Sequence, residues 1–152
     1  MAENGGLTNI VQAGDAAPFI RNKEMKSRLR WMAIAWTIVI VILCWMPRAR
    51  LPLPEHTPSL FRMLHIDKVV HFGIFAVFAF LWRLASNSRA TLLIAVVGVV
   101  FAIVTELVQD LPIVGRDADV WDGLADSAGV LTGLVFGSLM TARRMRVSQP
   151  EA

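Results

Sequence analysis

The sequence predicts an all-α membrane protein, a bundle of four transmembrane helices with both termini cytoplasmic. Three observations predict it. Hydrophobic residues make up 55% of the 152, mean hydropathy is +0.55, and only 18% are charged, where a water-soluble domain carries about a quarter. The charges stand mostly at the ends of apolar runs, so that the runs themselves avoid water on every face. Ionisable residues then gather at 67–71, 106–110 and 116–126, each group beside an apolar run, where unpartnered charge is costly.

The same features narrow the classes of function. One domain fits this length. The net charge is +3 and the basic residues flank hydrophobic runs, so membrane lipids with anionic head groups are the expected partners and nucleic acid is not. Cys44 is the single cysteine, which excludes an internal disulfide and a cysteine-rich metal site. Inside an apolar run it is expected to pack as a small hydrophobe.

Residues 1–20 mix Gly, Asn, Ala and Asp without periodicity, and Arg21, Lys23, Lys26, Arg28 and Arg30 follow as a basic run. Residues 1–30 therefore read as a flexible basic cytoplasmic tail. Residues 31–142 read as the four-helix transmembrane domain, and residues 143–152 as a second basic tail. The first span, 31–47, is uncharged over seventeen residues, with Trp31 and Trp45 placed as interface anchors. A spanning helix needs roughly 17–25 such residues. A signal peptide is the rival reading, but its apolar core is usually ~7–15 residues followed by a small-residue cleavage site. Here the run ends in Met46, Pro47 and Arg48, and a retained helix is the expectation.

Pro47, Pro52, Pro54 and Pro58 mark residues 47–66 as an external connection, since proline cannot continue a helix interior. A short interfacial segment is expected at 59–64. The second span starts near Asp67, a carboxylate suited to a helix N-terminus, and runs to Arg83. The third covers 90–105 and continues amphipathically to Leu111. The fourth starts around Asp119, is uncharged over 127–142, and ends at Arg143, Arg144 and Arg146. The second and fourth cores are short, and span only if their polar starts lie at head-group depth. With both termini inside, ten of the 15 Lys and Arg residues fall on the cytoplasmic side and five on the outer side, the direction the positive-inside rule requires.

That orientation brings the start of span two, the end of span three and the start of span four to one depth on the outer side. The spacings within each helix agree. Asp67 and His71 are four apart, Glu106 and Gln109 three apart, and Asp119, Asp122 and Asp126 share one face. The face continues as Gly129, Gly133 and Gly137, whose interval lets helix backbones approach closely in a bilayer. The expected binding cluster is therefore Asp67, Lys68, His71, Glu106, Gln109, Arg116, Asp119, Asp122 and Asp126.

Each residue admits a structural and a functional role. His71 is a hydrogen-bonded interface histidine, or it exchanges a proton or contacts a lipid phosphate, an unperturbed imidazole titrating near ~6.5. Lys68 is expected to snorkel to head groups. Glu106 is expected to pair with Arg116 or Lys68, or else to stay protonated or serve as a base. Gln109 can cross-link helices. Arg116, following Gly115, is expected to bridge to Asp119 or Asp122 or to bind an anionic head group. Asp122 and Asp126 are expected to hydrogen-bond neighbouring helices, with one of them protonated. Asp110 and Asp117 are expected to be solvated.

Asp67-Lys68-x-x-His71-Phe72, Glu106-x-x-Gln109, Gly115-Arg116, Asp122, Ala125-Asp126, Gly129 and Gly133 together resemble the VanZ-like family of small bacterial membrane proteins. The likeness covers about residues 65–137. It departs from the family in having Asp126 where asparagine is frequent, Val114 where proline is common before the Gly-Arg pair, and no tyrosine. The resemblance implies a bacterial cell-envelope protein of the cytoplasmic (inner) membrane. The family's name-giving member is associated with resistance to the glycopeptide teicoplanin.

Three functions compete at this stage. One is a non-catalytic protein whose cluster binds the head group of a lipid or lipid-linked envelope precursor. Another is an intramembrane acid–base or metal-dependent enzyme acting on a lipid-linked substrate, for which His, Glu and Asp suffice. The third is a proton-linked transporter, for which four short spans would need to form a homo-oligomer. No HExxH pair, nucleophilic serine motif or phosphate-cradling glycine loop occurs, so no catalytic residue is assigned, and no metal or cofactor is expected.

Overall fold

The computed structural model describes residues 5–47, 66–116 and 118–147, with side chains for 23–47, 67–116 and 118–146. The described residues form four α-helices and no strand. These are α1 (Gly5–Trp45), α2 (Ile66–Ala85), α3 (Thr91–Gln109), entered through a 3-10 turn at Ser88–Ala90, and α4 (Val120–Val147). The expected proline-rich connection, with Arg48, Arg50 and Arg62 and the interfacial segment at 59–64, lies outside the described residues, as does the end of the second tail after residue 147.

All four helices are long and apolar enough to cross a membrane, over Lys23–Trp45, Asp67–Ala85, Ser88–Gln109 and Val120–Arg146. The α2 stretch has 19 residues. At ~1.5 Å per residue it approaches a hydrocarbon core of ~30 Å only with its polar ends Asp67 and Arg83 included. The outer surface has the matching chemistry. Leu92, Leu107 and Phe136 are 76%, 63% and 63% exposed, a pattern suited to lipid rather than water. The architecture is that of a multi-pass membrane protein.

Two helix bounds differ from the sequence reading. The backbone is helical from Gly5, well inside the stretch 1–30 read as a tail. Helix α4 likewise continues to Val147, into the basic stretch after residue 142. The mix of Gly, Asn, Ala and Asp without periodicity is what makes the N-terminal stretch read as a tail.

The helices run up and down in turn. Lys26 Nζ donates to Asn87 Oδ1 at 3.0 Å and an Arg144 guanidinium nitrogen lies 4.0 Å from Met25 Sδ. These contacts put the start of the α1 span, the α2–α3 connection and the end of α4 at one end. The core combines Ile40 and Cys44 of α1, Phe75, Phe78 and Ala79 of α2, Ile94 and Ala102 of α3, and Val130 and Leu134 of α4. The Phe101 ring lies tilted against Phe75 and Phe78, with centroids 5.6 and 5.5 Å away.

Helix α2 packs against all three others. Toward α1, Trp36 Nε1 donates to the Ile74 carbonyl at 2.9 Å and Trp82 Nε1 to Thr37 Oγ1 at 3.2 Å. Toward α4 the approach is backbone to backbone. A Cβ at Gly129 would run into the Phe72 carbonyl, one at Gly133 into the Ala76 carbonyl, and one at Gly137 would lie 2.9 Å from Arg83 Cβ. The glycine ladder thus sets the rotation of α4 against α2, and with it the direction of every polar side chain above. Arg83, counted from sequence among the loop cations, is buried in this seam and donates from Nε to Ser138 Oγ at 2.9 Å.

Candidate functional site

The cluster sits at the other end of the bundle, where α2 and α4 begin and α3 ends. After Gln109 the chain turns tightly. Val114 and Gly115 both donate to the Leu111 carbonyl, at 2.9 and 3.0 Å, and Arg116 N–H returns to the Gln109 carbonyl at 3.2 Å. Gly115 closes this turn at φ +64°, a conformation that favours glycine. The chain then arrives at Asp119, whose Oδ1 accepts from Trp121 N–H at 2.9 Å and caps α4.

Two layers of polar groups follow. In the outer layer Lys68 Nζ lies 2.6 Å from Asp119 Oδ2 and 2.9 Å from Asp122 Oδ1. The Lys68 ammonium, helped by the Trp121 N–H, holds the Asp119 carboxyl below the usual carboxylate range. Asp67 is exposed, 3.7 Å from the same ammonium. Lys68 therefore does not snorkel to lipid: the two α4 aspartates stand close enough to hold it.

The inner layer is buried. His71 Nδ1 lies 3.1 Å from Asp126 Oδ1 and 3.9 Å from Glu106 Oε1. Asp126 is fully buried, and Glu106 and Gln109 nearly so. Glu106 Oε2 accepts from the Asp119 N–H at 3.2 Å, so this carboxylate ties α3 to the start of α4. Among the described residues, Glu106 Oε1, Asp126 Oδ2 and Gln109 Nε2 are buried without a hydrogen-bond partner. A buried polar atom left unsatisfied costs about 1–3 kcal/mol, so the inner layer favours whatever meets these atoms.

Of the expected cluster, Lys68, His71, Glu106, Gln109, Asp119, Asp122 and Asp126 are brought together with Asp67 beside Lys68, whereas Arg116 is turned toward α1, and the pairings differ. Glu106 pairs with neither Arg116 nor Lys68; it faces His71 and a backbone N–H. Arg116 bridges to neither Asp119 nor Asp122; its guanidinium donates to the Leu43 carbonyl at the end of α1, at 3.5 Å. That partner is a backbone group on another helix, and no side-chain pattern could have pointed to it. Asp110 is exposed as expected, and Asp117 lies outside the described residues. The apolar cavity of about 390 Å³ beside Thr37, Trp82 and Phe101 holds no ionisable side chain and offers no acid–base or ligating group.

Fold and site together define a multi-pass helical membrane protein with a two-layer polar cluster at one end of its bundle. Comparison with protein-family models, curated proteins and solved structures finds no match for this chain. The resemblance to VanZ-like proteins therefore rests on the motif residues alone.

Proposed function

We propose that this chain is a VanZ-like integral protein of the bacterial inner membrane, with both termini cytoplasmic, whose polar cluster faces outward and binds the head group of a lipid or lipid-linked envelope precursor. The charge distribution supports the orientation. Lys23, Lys26, Arg28, Arg30, Arg83, Arg89, Arg143, Arg144 and Arg146 lie toward the opposite end, against Lys68 and Arg116 at the cluster, among the described residues.

The observation that carries the binding reading is the state of Arg116. Lys68 is saturated by two carboxylates, whereas among the described residues Arg116 has no carboxylate partner and only a 3.5 Å contact to a carbonyl. A guanidinium with free donors at head-group depth suits a phosphate or carboxylate. The test is native mass spectrometry of the protein extracted in mild detergent. Wild type is expected to carry anionic lipid and Arg116→Ala to lose it; equal lipid on both would remove the reading. The link to glycopeptide tolerance follows from the resemblance, and a deletion strain with unchanged teicoplanin susceptibility would end it.

A further inference from the structure

The inner layer is an awkward place for an anionic head group. Glu106 and Asp126 are buried with His71 as the only cationisable side chain within salt-bridge distance of either, among the described residues. Two carboxylates repel a phosphate unless positive charge stands between them. Arg116 stands at the Leu43 carbonyl rather than between these two carboxylates, so it does not supply that charge in the inner layer.

We propose that His71, Glu106 and Asp126 form a binding site for a divalent transition-metal ion of the zinc or manganese class. One ligand atom from each residue lies within 4.8 Å of the other two, and His71 Nδ1 stands 3.1 Å from Asp126 Oδ1 and 3.9 Å from Glu106 Oε1. Ligands held about 2.0–2.2 Å from a zinc ion stand roughly 3–3.5 Å apart, so these side chains need only small adjustments to share an ion. A second observation points the same way. Among the described residues, Glu106 Oε1 and Asp126 Oδ2 are buried acceptors without a donor, and Asp126 is fully buried.

The donor set is one imidazole and two carboxylates. Imidazole favours zinc and its transition-metal neighbours, and carboxylate favours manganese as well. Three protein ligands leave a coordination position open, the arrangement of zinc sites that act on a bound molecule rather than hold a fold together. The ion would cancel the charge of the two carboxylates and present a Lewis-acidic position to an oxygen anion. That a head-group phosphate takes the open position rests on the head-group reading; binding of the ion does not. The absence of a metal motif from the sequence has a simple cause. The ligands come one each from α2, α3 and α4, so no spacing along the chain records them.

The test is a titration of the tag-free, chelator-treated full chain in lipid-free detergent with Zn²⁺, and separately with Mn²⁺. Wild type is expected to take up one equivalent of at least one of these ions. Glu106→Gln should bind more than about tenfold more weakly, since outer partners of metal ligands alone are worth about 10–100-fold. Asp110→Asn, which removes an exposed carboxylate outside the cluster and leaves all three ligands in place, should retain binding. No stoichiometric uptake by wild type, or undiminished uptake by Glu106→Gln, would overturn the site. If Glu106→Gln does not fold, wild type loaded with Co²⁺ decides: a visible d–d band supports a protein-ligated ion and a colourless protein rejects it. Lipid retention measured after chelation is a separate readout, so loss of the metal site and loss of head-group binding are distinguishable.

Discussion

Gly133 of α4 lies directly against the backbone carbonyl of Ala76 in α2, with no room for a side chain between them. Gly133→Ala must therefore push the two helices apart. Overpacking of this kind costs about 1–3 kcal/mol, and the variant should melt well below wild type in detergent. Gly73, also in α2, has open space where a side chain would stand. Gly73→Ala is expected to be neutral or to stabilise by about 0.5–1 kcal/mol. Equal melting temperatures for both variants would contradict the close α2–α4 approach.

The Lys68 bridge is expected to hold the outer layer together. Lys68→Met leaves Asp122, whose side chain is only 13% exposed, without its cation, at a cost of about 1–3 kcal/mol. Unfolding free energies of Lys68→Met, Asp122→Asn and the double variant form a cycle. A coupling above about 0.5 kcal/mol is expected, and strict additivity would mean the contact carries no stability.

Asp119 gives the fold an acid limb. Its folded-state pKa is depressed by Lys68, so its contribution is fully present above the unfolded value of about 3.9. That contribution is lost as pH falls from there through the lowered folded value. The melting temperature should therefore fall below about pH 4, and Asp119→Asn should flatten that limb while lowering stability at neutral pH. Because the carboxyl is partly exposed, the effect should shrink in high salt.

Orientation is open to direct labelling. In a Cys44→Ser background, Arg116→Cys should react with a membrane-impermeant maleimide added to intact cells, and Arg143→Cys only after permeabilisation. The reverse pattern would place the cluster on the cytoplasmic face.

The four helices and their polar ends were legible in the sequence, because apolar run length and the position of the first charge are properties of the chain itself. The grouping of Lys68, His71, Glu106, Gln109, Asp119, Asp122 and Asp126 followed from alternating direction alone. The partners did not. Whether Lys68 reaches lipid or Asp122, and whether Glu106 meets Arg116 or His71, depends on how far each helix is rotated about its axis. That rotation is set by the contacts of Gly129 and Gly133 with α2. Spacing within α4 showed which residues share a face; it could not show which face of α2 they meet. Arg116 misled for a related reason, its observed acceptor being the carbonyl of Leu43.

Lys68, His71 and Arg83 of α2 all find side-chain partners on α4 or at its cap: Asp119 and Asp122, Asp126, and Ser138. Each of these α2 side chains leaves the ribosome 51–55 residues before its partner. Until the last helix arrives, the second has these three polar groups without the partners they find in the finished bundle. A chain broken off before Val120 should therefore be more readily proteolysed than the full chain.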